Sequence, residues 1–116
     1  MSDFESSADI DKFVGIVKLI NPLTVSAYGP PLEGWAFLAK VSSALGSRAS
    51  LAQILKTINP LTATAYGPLL DNWATRPFNR VELAGILRAV NPLTAGAYGP
   101  LLDAWAADAV VASRRR

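Results

Sequence analysis

Apolar residues fall at one helical spacing three times along the chain, as Phe13, Ile16, Val17 and Ile20, then Leu51, Ile54, Leu55 and Ile58, then Leu83, Ile86, Leu87 and Val90. Each set recurs at i, i+3, i+4, i+7 and lines one face of an amphipathic helix. The spacing predicts three lead helices. Their starts are expected at residues with short acceptor side chains, Asp9, Ser47 and Asn79, and Asn79 with Glu82 forms a capping-box-like pair. Lys18, Lys56 and Arg88 stand in the last turns, where a cation complements the negative end of the helix dipole.

Each lead helix runs into a segment repeated almost verbatim: NPLTVSAYGPPLEGWA from Asn21, NPLTATAYGPLLDNWA from Asn59 and NPLTAGAYGPLLDAWA from Asn91. Proline disfavours helix in the residue before it and lacks the amide to continue the ladder, so Asn21-Pro22, Asn59-Pro60 and Asn91-Pro92 are predicted corners. Asparagine then suits the N-cap of the next helix and proline its first position. Gly29-Pro30, Gly67-Pro68 and Gly99-Pro100 form a second punctuation mark, at which the second helix either kinks or breaks. If it runs through, Tyr28, Leu32 and Trp35 share a face, as do Tyr66, Leu70 and Trp73, and Tyr98, Leu102 and Trp105. Glu33, Asp71 and Asp103 then point away toward water. Past Trp35, Leu38, Val41 and Leu45 are expected to extend the apolar face to a stop at Gly46, and Val110 and Val111 to pack after Trp105.

The fold class expected is all-α: three tandem helical repeats, each a lead helix, an Asn-Pro corner and a second helix kinked or broken at Gly-Pro. The repeats run over 9–46, 47–78 and 79–113 of a single domain, preceded by a loose lead-in at 1–8 and followed by a basic tail at 114–116. The spacings of 38 and 32 residues between the Asn-Pro corners match two-helix solenoid units in length, but the residues match neither the tetratricopeptide nor the ankyrin pattern.

Composition narrows the chemistry. The 116 residues are 51% hydrophobic with only 17% charged, and mean hydropathy is +0.27, so apolar surface is in excess for a small domain. Eleven basic residues, three of them in the Arg114–Arg116 triplet, against nine acidic ones leave the chain through Ser113 at −1. The body is therefore not a nucleic-acid surface, and only the arginine tail suits phosphate. Cysteine and histidine are absent, which removes thiolate chemistry, the commonest metal ligand and the usual general base. Glu33, Asp71 and Asp103 are the one carboxylate set that recurs, and a carboxylate in the turn after a proline simply favours a helix N-terminus. No catalytic, cofactor-binding or metal-binding residue is expected, and the chain is read as not an enzyme.

The acidic start, with Asp3, Glu5, Asp9 and Asp11, is unlike a signal peptide, which points to a cytoplasmic origin or a particle assembled there. One internal comparison bears on role. Lead helices keep only their pattern, whereas 11 of 16 positions in the Asn-to-Ala segments are identical in all three copies. Tight packing explains such identity, and so does a surface presented three times to a partner. The expected function is accordingly a structural or assembly protein, for example an accessory component of a virus particle or bacterial supramolecular complex, or one that self-associates. Tyr28, Trp35, Tyr66, Trp73, Tyr98 and Trp105 are the candidate interaction residues. A membrane-associated helical protein and a module binding a small apolar ligand are the alternatives.

Overall fold

The computed structural model describes residues 4, 6–41, 47–76 and 79–114, with 108–114 by backbone alone. Six helices carry the chain: α1 (Ser7–Val17), α2 (Val25–Val41), α3 (Arg48–Leu55), α4 (Ala63–Ala74), α5 (Arg80–Arg88) and α6 (Ala95–Arg114). The described residues contain no strand. Lead helices α1, α3 and α5 each pack on the helix that follows, giving three helix hairpins. Their periodic faces are inside, since Phe13, Val17, Ile20, Leu51, Leu55, Ile58, Leu83, Leu87 and Val90 are all fully buried.

Capping follows expectation at two of the three starts. Ser47 accepts from the Ser50 N–H and Asn79 from the Glu82 N–H, each at 3.1 Å. Glu82 does not reach back to complete the box; its carboxylate pairs with Arg76. At α1 the cap is Ser6 rather than Asp9, because the Ser6 hydroxyl takes the Asp9 N–H at 3.1 Å and frees the Asp9 carboxylate for a different partner. The expected loose lead-in also contributes to the core. Phe4 is buried against Phe13, Trp35 and Trp105, with ring centroids 5.4, 5.6 and 6.0 Å away.

The lead helices end at Val17, Leu55 and Arg88, three or four residues before the Asn-Pro corners, and asparagine is not the cap of the next helix. The Leu23 N–H donates to Asn21 Oδ1 at 3.1 Å and the Thr24 N–H to the Asn21 carbonyl at 3.2 Å, a side-chain-closed turn that holds the chain out of the helix. The helix begins only at Val25, with Ala63 and Ala95 equivalent. From there each second helix continues unbroken through Gly-Pro, and no described glycine has positive φ. An internal proline leaves the carbonyl four residues earlier without its donor. Here those carbonyls belong to Ser26, Ala27, Thr64 and Gly96, all exposed residues at which solvent can take the place of the lost donor. Gly67 meets a separate constraint. A Cβ there would come within 3.2 Å of Lys56 Cδ, whose stem crosses the helix at that point.

Helix neighbours close on themselves. In chain order each helix packs on the next, and α6 packs back on α1, so the hairpins form a ring and not an open solenoid. The radius of gyration, 13.2 Å, agrees with the ~13.4 Å of a globule this long. Beyond Trp35 the expected apolar face is rotated. Ala36 and Ala39 face the core, while Leu38 and Val41 are 42% and 64% exposed. Leu45 and Gly46, the packing of Val110 and Val111, and the side chains of the arginine tail lie outside the described residues.

Candidate functional site

Three corners meet at one end of the ring, tied by the same pair of bonds at every junction. Asn21 Nδ2 donates to the Ile58 carbonyl at 3.0 Å, Asn59 Nδ2 to Val90 at 2.9 Å and Asn91 Nδ2 to Ile20 at 3.0 Å. The hydroxyls of Thr24, Thr62 and Thr94 donate to those same carbonyls. The acceptors lie in the turns two or three residues past the ends of the lead helices, where carbonyls lack a helical partner. Each copy thus satisfies the next copy's helix end, and the third satisfies the first.

Below this ring the tyrosines act as internal braces. Tyr28 Oη donates to the Val17 carbonyl at 2.7 Å and receives the Asn21 N–H at 3.4 Å; Tyr66 does the same with Leu55 and Asn59, and Tyr98 with Leu87 and Asn91. Burial pushes all three phenols above the ordinary 10.0, against the lowering effect of the backbone bonds they receive. Tyr98 adds to the rise at Tyr28, and Tyr66 to that at Tyr98, as expected of rings converging on a common axis.

Tryptophans fill the opposite end. Trp73 and Trp105 are fully buried and Trp35 is 5% exposed. The indole of Trp35 donates to the Ser47 carbonyl and that of Trp105 to Asp9 Oδ1, both at 3.0 Å. Asp9 is the carboxylate released by the Ser6 cap, and Arg80 grips it in two bonds of 2.8 and 2.9 Å while donating to the Trp105 carbonyl at 2.8 Å. The Arg80 guanidinium also lies 4.0 Å over the Trp105 ring. This buried group latches the first hairpin to the third.

All six candidate interaction residues are therefore interior, and their identity in the three copies follows from packing and bonding. The repeated carboxylates do not converge. Glu33, Asp71 and Asp103 pair across each hairpin with Lys18 and Lys56, which stand at C-cap positions just past the last turn, and with Arg88, which stands in it. Identity without interior purpose is found elsewhere, at Leu23, Leu61 and Leu93, which are 91%, 91% and 95% exposed. Pro22, Pro60 and Pro92 beside them are exposed too. These leucines lie off the apolar stripes, and the signal that marks them in sequence is that they are invariant among the copies without belonging to any helical face. No charged residue occurs in 19–32, 57–70 or 89–102, so these segments are uncharged.

No protein-family model matches the chain, and neither a curated protein nor a solved structure matches it.

Proposed function

We propose that the chain is a non-enzymatic structural protein that enters a larger assembly through its three-leucine end. The observation that supports this is the almost complete exposure of Leu23, Leu61 and Leu93, the same residue at the same place in every copy. An exposed leucine adds little to its own fold, whereas lead-helix positions that pack tolerate replacement among Phe, Leu, Ile and Val. Threefold repetition of a residue that the fold does not use fits a contact surface.

Energetics favour all three corners acting at once. Burying one leucine side chain contributes about 1.5–3 kcal/mol, less than the roughly 4–15 kcal/mol cost of immobilising a partner. Three together reach about 5–9 kcal/mol, and because the hydrogen-bonded ring holds the corners rigid, little further ordering opposes binding. Tyr28, Tyr66 and Tyr98, with the tryptophans, serve this function by fixing the ring on which the leucines are mounted. An accessory component of a virus particle or bacterial supramolecular complex fits this reading. No described helix is long and apolar enough to cross a membrane.

The test is size fractionation of cross-linked native extract containing either the natural chain or a Leu23→Ser, Leu61→Ser, Leu93→Ser triple variant. The natural chain is expected well above its 12.3 kDa monomer mass and the variant at it. A natural chain found only as monomer, or a variant that still runs at high mass, contradicts the proposal. Flotation of the pure protein with liposomes, abolished in the variant, would instead assign the leucines to a lipid surface.

A further inference from the structure

We propose that the tryptophan end of the ring is a binding site for a small molecule bearing one uncharged aromatic ring, and that Phe4 is its displaceable stopper. The site lies at the end opposite Leu23, Leu61 and Leu93, so it stands or falls apart from the contact-surface reading.

Three rings from three helices surround Phe4, which is 4% exposed: Phe13 of α1, Trp35 of α2 and Trp105 of α6 have centroids 5.4, 5.6 and 6.0 Å from it. Trp35 meets it edge-on at 70°, while Phe13 and Trp105 are tilted against it by 53° and 38°, all arrangements in which aromatic pairs attract. The walls of this cage are held without Phe4. The Trp35 indole donates to the Ser47 carbonyl and the Trp105 indole to Asp9 Oδ1, Arg80 stacks on Trp105, and Phe13 packs on Trp105 with centroids 4.9 Å apart. A Phe4 ring that withdraws therefore leaves a formed site behind, which costs a ligand little reorganisation.

Phe4 itself is not part of that framework. It stands two residues before the Ser6 cap, outside every helix and all three copies, and the cap bond from the Asp9 N–H to the Ser6 hydroxyl is exposed. Burying one ring and ordering the residues that carry it into α1 are opposing terms of the same order, so Phe4 docks reversibly in a way that a core residue within a helix does not. Ligand chemistry follows from the occupant and its surroundings. The cage holds a phenyl ring, and the charges beside it are spent, because Arg80 grips Asp9 in two bonds. An uncharged ring replaces Phe4 like for like, whereas a carboxylate or ammonium on that ring would be buried without a counterion.

Titration of the pure natural chain and of Phe4→Ala with benzyl alcohol tests the proposal, followed by calorimetry and by the NMR signals of the Trp35 and Trp105 indole N–H groups. Phe4→Ala is expected to remain folded by circular dichroism and to bind one equivalent. The natural chain is expected to bind at the same indoles about 10- to 100-fold more weakly, since Phe4 occludes the site most of the time, and its Phe4 ring signals should move to those of a free side chain as the ligand enters. Benzoate and benzylamine, the same ring with a charge, are expected to bind neither chain at these indoles. A Phe4→Ala chain that unfolds, or that folds and binds nothing, overturns the proposal. So does a natural chain whose indole and Phe4 signals stay unmoved at about a hundred times the concentration that half-saturates Phe4→Ala, for Phe4 is then a fixed part of the core. Equal binding of the charged rings overturns the ligand class.

Discussion

Asn91 donates its side-chain amide to the carbonyl of Ile20 at 3.0 Å, across 71 residues of chain, with the same partners and geometry by which Asn21 reaches Ile58 and Asn59 reaches Val90. The bond that closes the molecule is thus chemically the same as those that continue it. Three short hairpins become a single body because each one completes the helix end of its neighbour.

Asparagine replacement should reveal that equivalence. Asn91→Ala removes a donor from a buried carbonyl and the acceptor of the Leu93 N–H, and is expected to cost about 1–3 kcal/mol. Asn21→Ala and Asn59→Ala should cost the same within about 1 kcal/mol, measured by urea unfolding. A much smaller loss at Asn91 would mean that the ring is open between its third and first hairpins.

The latch at the other end is asymmetric and more sensitive. Arg80→Met removes the guanidinium that neutralises the Asp9 carboxylate, which is only 11% exposed, and should destabilise by about 3–5 kcal/mol. Asp9→Asn combined with Arg80→Met should recover part of that loss, because the uncharged amide still accepts from the Trp105 indole. Urea midpoints of the two single variants and the double variant check the coupling.

Alkaline titration reads the tyrosine braces. Burial raises the phenol pKa of Tyr28, Tyr66 and Tyr98 in the folded chain above 10.0, so the stability they contribute is fully present below the unfolded value. It is lost as pH rises from about 10 through the folded values. Stability measured against pH should fall steeply above about pH 10, and Tyr66→Phe should make that fall shallower.

The exposed ion pairs should contribute little. Lys56→Ala, which releases Asp71 from a 2.9 Å contact between two partly exposed side chains, is expected to change stability by less than about 1 kcal/mol. Gly67→Ala, at the point where the Lys56 stem crosses, should be more costly in the presence of Lys56 than in Lys56→Ala.

Much of this fold was legible in the chain. The lead helices announce themselves through spacing, because Phe13, Val17 and Ile20 and their counterparts are buried on one side, and the Tyr-Leu-Trp stripes follow the same period. Ring closure was not legible, since a side-chain amide meeting a main-chain carbonyl 71 residues away leaves no pattern in either segment. Gly-Pro leaves a kink and a break equally open in sequence, and the exposure of Ser26, Thr64 and Gly96 shows why the helices can pass through it. The repeated tyrosines and tryptophans read equally as surface or as core in sequence, and they are interior. Leu23, Leu61 and Leu93 lie outside every helical stripe, so no periodicity marks them, only their repetition.

Thermal unfolding of the triple variant Leu23→Ser, Leu61→Ser, Leu93→Ser, in solution dilute enough to keep the natural chain monomeric, tests most directly whether these leucines belong to the surface and not to the fold. The predicted melting temperature lies within about 3 °C of the natural chain, since side chains that are 91–95% exposed contribute little to folding. A fall of roughly 20 °C or more, as three truncated core leucines would produce, would contradict it.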